Sequence, residues 1–184
     1  MNQTTAAYEQ IIEKYVRWAM SDPGTRAAII IGSRARADHP ADEWSDLDII
    51  VHTSDMQRYL ATTDWLEHIG TPWLTFVEQT PGGGPERRVM FEGGLDVDFA
   101  IIPAEWSQQV MSVGIPPDLA DIIRRGVRVI VDKDGLAAQL LQMPVTVRQM
   151  VKVDAQWRQP SSSRECAMRL QMLLPKVEIG RAHV

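Results

Sequence analysis

Three aspartates and a Gly-Ser pair are the residues of this chain best suited to chemistry. Asp46 and Asp48 stand two apart at the start of the apolar run Ile49-Ile50-Val51, and residues two apart on a strand project from the same face. Two carboxylates about 5 Å apart repel by roughly 3 kcal/mol at an effective dielectric near 20. A divalent cation removes that penalty, and hard carboxylate oxygens favour Mg²⁺. Upstream, the apolar run at residues 27–31 ends in Gly32-Ser33. That turn offers an N–H and a hydroxyl to a phosphate, which would complete a magnesium shell.

A further acidic pair lies in Leu95-Asp96-Val97-Asp98-Phe99-Ala100-Ile101-Ile102. Val97, Phe99 and Ile101 alternate with Asp96, Asp98 and the small Ala100. This period of two describes a strand with one buried face and one face carrying carboxylates. Asp98, next to the apolar continuation, is the better candidate to meet Asp46 and Asp48 across neighbouring strands, with Asp96 as the alternative. A bare D-x-D is a weak signal, because Asp is common at strand ends and in turns. Its conjunction with a preceding strand, a Gly-Ser turn and a later acidic strand is much stronger.

These segments resemble the nucleotidyltransferase superfamily and, in detail, the aminoglycoside 6-adenylyltransferases that modify streptomycin. The resemblance is carried by Gly32-Ser33-Arg34, by Ser45-Asp46-Leu47-Asp48-Ile49 and by Val97-Asp98-Phe99-Ala100-Ile101-Ile102-Pro103. Val129-Ile130-Val131-Asp132-Lys133-Asp134-Gly135-Leu136 adds a late element of the same family. It implies an α/β (α+β) fold, a mixed sheet flanked by helices, over about residues 5–142. It also implies Mg²⁺-dependent transfer of AMP from ATP to an aminoglycoside hydroxyl, with release of pyrophosphate, and hence antibiotic resistance. On this resemblance Asp46 and Asp48 ligate Mg²⁺, Asp98 is either a third metal ligand or the general base, and Gly32 and Ser33 hold the outer phosphates. Arg34 and Arg36 follow closely enough to reach a triphosphate, although surface solvation accounts for them nearly as well.

Composition agrees with such an enzyme without requiring it. The 184 residues are 45% hydrophobic, enough for one domain with a core. No apolar run approaches membrane-spanning length, and the first residues lack a basic stretch leading into an apolar one, so a cytoplasmic protein is expected. Cys166 is the one cysteine, which leaves neither a disulfide framework nor a cysteine metal cluster. The four histidines have no zinc-like spacing, and Ser33 has no His-Asp pattern to make it a hydrolase nucleophile. To residue 143 there are 12 Lys and Arg against 21 Asp and Glu, a balance of −9, whereas residues 144–184 carry 7 against 3, or +4. The acidic part fits a polycationic small molecule better than a nucleic acid, although ordinary solubility accounts for it equally well.

The elements that must position these residues follow from periodicity. Tyr8, Ile11, Ile12, Tyr15, Val16 and Ala19 define an amphipathic helix. Strands follow at residues 27–31 and 47–52, then a short helix capped from Thr53-Ser54-Asp55 and running to about 65–69. Residues 73–78 read as a strand, and 88–92 pairs with 95–102 as a hairpin through Gly93-Gly94. Helices near 104–113 and 117–125, a strand at 127–132 and a helix at 135–142 complete the order. Gly82-Gly83-Gly84 lacks the end of a P-loop and reads as a connection. Trp18, Trp65, Trp73 and Trp106 sit at core positions, and packing is favoured for Trp44 too.

The expected organisation is a catalytic domain at 1–145 and the start of a helical domain at 146–184. The Pro/Ser-rich stretch 156–164 and the final Ile179-Gly180-Arg181-Ala182-His183-Val184, which resembles a translated adapter, suggest a truncated product whose own activity is left open. Two other classes stay in play. One is a nucleotidyltransferase-fold protein acting on a protein or nucleic acid, as in toxin–antitoxin pairs. The other is a non-catalytic remnant that keeps the fold.

Overall fold

The computed structural model describes residues 3–36, 38–79 and 84–143. The expected second domain and the terminal residues, including Cys166, lie outside them. Six strands form one mixed sheet in the order β3-β4-β5-β2-β1-β6. They are β1 (Thr25–Ile31), β2 (Leu47–Thr53), β3 (Pro72–Gln79), β4 (Pro85–Phe91), β5 (Leu95–Pro103) and β6 (Arg128–Asp132). The helices are α1 (Gln3–Ser21), α2 (Met56–Ala61), α3 (Glu105–Val113), α4 (Pro117–Arg125) and α5 (Leu136–Gln142). Short 3₁₀ turns lie at Gly32–Arg34 and Asp64–His68. No helix among the described residues is long and apolar enough to cross a membrane.

The sheet has two faces because side chains alternate along each strand. On the first, Ile30, Leu47, Ile49, Val51, Val97, Phe99 and Ile101 pack beneath α1, whose Ile12, Tyr15 and Trp18 supply the apolar stripe predicted from its spacing. Trp65 stands edge-on to Phe99 at a centroid distance of 5.0 Å and closes this core. On the second face, Ile29, Ile31, Ile50, Ala100 and Ile102 pack beneath Trp106 and Val110 of α3, Leu119 and Ile122 of α4, and Leu140 of α5. The helices cover the second face over β1, β2 and the distal half of β5. The edge strand β3 keeps Trp73, Leu74, Phe76 and Val77 exposed, so Trp73 is not the core residue its position predicts.

Two local expectations are also modified. The helix after Asp55 is split. Asp55 caps α2 by accepting from the Arg58 N–H at 3.1 Å, but Thr62 is extended, as suits a β-branched residue, and the chain resumes only as a 3₁₀ turn. The β4–β5 hairpin pairs Phe91 with Leu95, so its loop is Glu92-Gly93-Gly94 rather than two glycines alone. Gly93 and Gly94 both have positive φ, +85° and +74°, which glycine adopts without steric cost.

The late Asp132-Lys133-Asp134-Gly135 segment is spent on structure. The Asp132 carboxylate accepts from the Ala138 N–H at 2.9 Å, capping α5. Lys133 Nζ donates to the Asp22 carbonyl at 2.6 Å, and Asp134 pairs with Arg26. Together they pin β6 and α5 to the start of β1.

His52 of β2 lies under α3 on the second face, 5% exposed, with Nδ1 2.7 Å from Ser107 Oγ. Burial, against a weaker pull from Asp132, lowers its pKa to about 4. Below the ordinary value near 6.5 the unfolded chain therefore takes a proton that the folded chain refuses. Stability from this residue is present above about pH 6.5 and is lost as pH falls toward 4. His52→Gln should narrow the gap between urea midpoints measured at pH 7 and pH 5. An unchanged gap would show that His52 does not titrate in this way.

Candidate functional site

β2 and β5 are parallel neighbours, and their register sets Asp48 directly beside Asp98. Residues opposite one another on adjacent strands share a face, so the two carboxylates stand side by side, each 2% exposed. Asp46, immediately before β2, joins them: one oxygen from each of the three lies within 4.8 Å of the others. Ligands of an octahedral Mg²⁺ held at about 2.1 Å lie roughly 3–4 Å apart. A small contraction therefore closes this set on a cation, and the all-carboxylate donors suit a hard one. Asp96 lies outside the cluster, its carboxylate 3.5 Å from Arg88 Nη2.

The charges feel one another strongly. Burial first, then the charge of Glu86, push the Asp98 pKa up to about 8 against the opposing pull of Arg88. Burial also raises Asp46 and Glu86. A cation among the aspartates would offset this crowding of negative charge.

The Gly-Ser turn leaves β1 at the same place, because Ile31 pairs with Asp48. Gly32 has φ +74°, a left-handed conformation that favours glycine, and its carbonyl accepts from the Ala35 and Arg36 N–H groups at 3.1 Å each. Gly126, at φ +118°, packs against the far side of the turn, where a Cβ would meet the Ala35 carbonyl at 2.9 Å. Ser33 Oγ is buried with no hydrogen-bond partner among the described residues, a cost that an incoming phosphate oxygen would relieve.

Arg34, expected to reach the phosphates, is engaged elsewhere. Its guanidinium carbon lies 3.5 Å from the Tyr8 ring centroid, and it donates to the carbonyls of Asp46 at 2.9 Å and Ser45 at 2.5 Å. It thus fastens the long β1–β2 loop just ahead of the aspartates. Within that loop Asp42 Oδ1 accepts from the Trp44 N–H at 3.0 Å and from Ser45 Oγ at 2.6 Å. Trp44 itself is 87% exposed, so the packing expected of it does not occur.

The periodicity reading passed over two residues of the site, Glu86 and Arg88 of β4. Arg88 faces Asp98 in the antiparallel register and donates from Nε to Asp98 Oδ1 at 2.8 Å. The signal available was a basic residue on the strand that pairs with the acidic one. Its use required the hairpin register.

A Gly-Ser turn beside aspartates on neighbouring strands of a mixed, helix-flanked sheet is the architecture of a nucleotidyltransferase core. The streptomycin adenylyltransferase family model matches residues 5–161, and the chain belongs to that family. A crystal structure of an aminoglycoside 6-adenyltransferase from Bacillus subtilis is similar at 19% sequence identity and a TM-score of 0.42, over 56% of this chain and 38% of that one. The chain thus spans well under half of that protein's length. No curated protein matches the chain.

Asp48→Asn removes one of three clustered carboxylates, two of them buried. In the absence of metal its melting temperature should equal or exceed that of the wild type, while Mg²⁺ or Mn²⁺ affinity falls by about tenfold or more. Calorimetric titration with unchanged divalent affinity would exclude a cation at this cluster.

Proposed function

We propose that the chain catalyses Mg²⁺-dependent transfer of AMP from ATP to a hydroxyl of an aminoglycoside such as streptomycin, and so confers resistance. The observation that carries this reading is the convergence of Asp46, Asp48 and Asp98 beside the Gly32-Ser33 turn, in a chain of the streptomycin adenylyltransferase family. Asp46 and Asp48 are suited to hold Mg²⁺, which when bound stabilises charge developing on the phosphates. Gly32 and Ser33 offer a backbone N–H and a hydroxyl to the outer phosphate oxygens. Arg34 serves this site through the loop it fastens, holding Asp46 at the mouth of β2.

Asp98 takes one of two roles, a third metal ligand or the base that accepts the proton of the attacking hydroxyl. Its raised pKa suits proton acceptance near neutrality, and its place beside Asp48 suits a ligand. The acidic balance of residues 1–143 favours a polycationic acceptor. Residues 1–145 form the catalytic domain on this reading, and the setting is the cytoplasm, where ATP is available.

The direct test incubates the purified chain with α-labelled ATP, Mg²⁺ and streptomycin, and looks for adenylylated drug. Mg-ATP binding without transfer to any of a panel of aminoglycosides would sink the proposal. Asp98→Asn then separates the two roles. If Asp98 is the base, Mg-ATP affinity stays within about threefold of wild type and transfer falls by about 100-fold or more. If it is a ligand, affinity and transfer fall together.

A further inference from the structure

Arg88 lies outside every motif that marks the site, yet it is placed at the centre of its charge. Its guanidinium meets carboxylates on three sides: Asp98 Oδ1 at 2.8 Å from Nε, Asp96 Oδ2 at 3.5 Å from Nη2, and Glu78 Oε1 at 3.4 Å from Nη1. Asp98 and Asp96 come from β5 and Glu78 from the edge strand β3, while the Phe76 ring lies 6.0 Å from the guanidinium carbon. The side chain is only 9% exposed.

We propose that Arg88 is a positioning residue: it sets the orientation of the Asp98 carboxylate within the Asp46-Asp48-Asp98 cluster. The catalytic part of this inference rests on the role given to Asp98 under Proposed function.

Alone, the Asp98 carboxylate would not hold one orientation. The last torsion of an aspartate is broad and roughly two-fold, so its carboxylate plane is set by its neighbours. Asp46 and Asp48 repel it within 4.8 Å. The Arg88 Nε bond opposes the repulsion and fixes one oxygen. Its own orientation is fixed in turn, because the planar fork is held at its two outer nitrogens by Asp96 and Glu78. A guanidinium can be held at three points in one plane, whereas an ammonium of the same charge cannot.

A purely structural arginine would satisfy its charge at the half-exposed rim, where Asp96 and Glu78 lie. Here the shortest contact reaches the most buried carboxylate of the three. The neighbouring Arg87 shows the contrast. It points to the opposite face and donates to the carbonyls of Tyr59 at 2.7 Å and Leu60 at 2.6 Å, at the end of α2.

The test uses the full chain with Arg88→Ala, Arg88→Lys and, for reference, Asp98→Asn. Misplacing a reacting group by about 1 Å can cost about 100-fold in rate. Arg88→Ala should therefore lose about 100-fold in kcat for AMP transfer while KM for Mg-ATP changes by less than about threefold, and Arg88→Lys should recover little. Added methylguanidinium should raise the rate of Arg88→Ala by about tenfold and leave wild type and Asp98→Asn unchanged. Wild-type transfer by Arg88→Ala, or a loss that methylguanidinium does not restore in a folded variant, overturns the proposal.

A readout independent of activity completes the test. The Arg88 Nε–H resonance in ¹⁵N-labelled wild type should be protected from solvent exchange and should lose that protection in Asp98→Asn. No protection in wild type, or none lost in Asp98→Asn, overturns the proposal. If wild type lacks transfer altogether, the reading under Proposed function falls, and this resonance still decides whether Arg88 holds Asp98.

Discussion

Asp48 and Asp98, in register on adjacent parallel strands and both buried, impose the constraint around which the rest of the structure is arranged. Like charges in a poorly solvated place destabilise a fold unless something compensates them. Compensation here comes from the Arg88 guanidinium, and a cation held among Asp46, Asp48 and Asp98 would add to it. Such a cluster persists only where the surrounding packing over-determines it. The aromatic core beneath β2 and β5, built on Tyr15, Trp18, Trp65 and Phe99, supplies that rigidity from the opposite face.

Alternation along β2 and β5 explains how one pair of strands serves both purposes. Leu47, Ile49 and Val51 go into the core beneath α1, while Asp48 looks to the second face. Further along that face Ile50, Ala100 and Ile102 pass under α3 and α4. The carboxylates therefore sit where the helical cover gives way to the open half of the sheet. A ligand can approach there without disturbing the core, and Asp48 and Asp98 stay fixed by paired strand backbone.

The loops beside the site are held as firmly as the strands. Arg34 ties the β1–β2 loop to α1 through Tyr8 and to the chain just before Asp46, and Gly126 lets the link into β6 lie against the Gly-Ser turn. Preorganisation of this kind holds ligating groups in place before the ligand arrives, which lowers the reorganisation needed when it binds.

The sequence by itself determined most of the elements and the identity of the acidic cluster. Strict alternation in Leu95-Asp96-Val97-Asp98-Phe99 names the face that carries the carboxylates, because a strand's period of two leaves no freedom, while the register beside Asp48 decides for Asp98 over Asp96. Gly32-Ser33 and Asp46-Leu47-Asp48 were legible for the same reason, as breaks in otherwise apolar strands. What only the tertiary structure decided is register and reach. One residue more in the β4–β5 loop puts Arg88 opposite Asp98, where a two-residue turn would have put Val89 there and sent both arginines to the wrong faces. Trp73 reads as core yet lies exposed because β3 ends the sheet, and Arg34 reads as a phosphate ligand yet bonds to carbonyls that folding brings from eleven and twelve residues away. Local patterns fix which way a side chain leaves its own strand; what it meets depends on which strand pairs alongside.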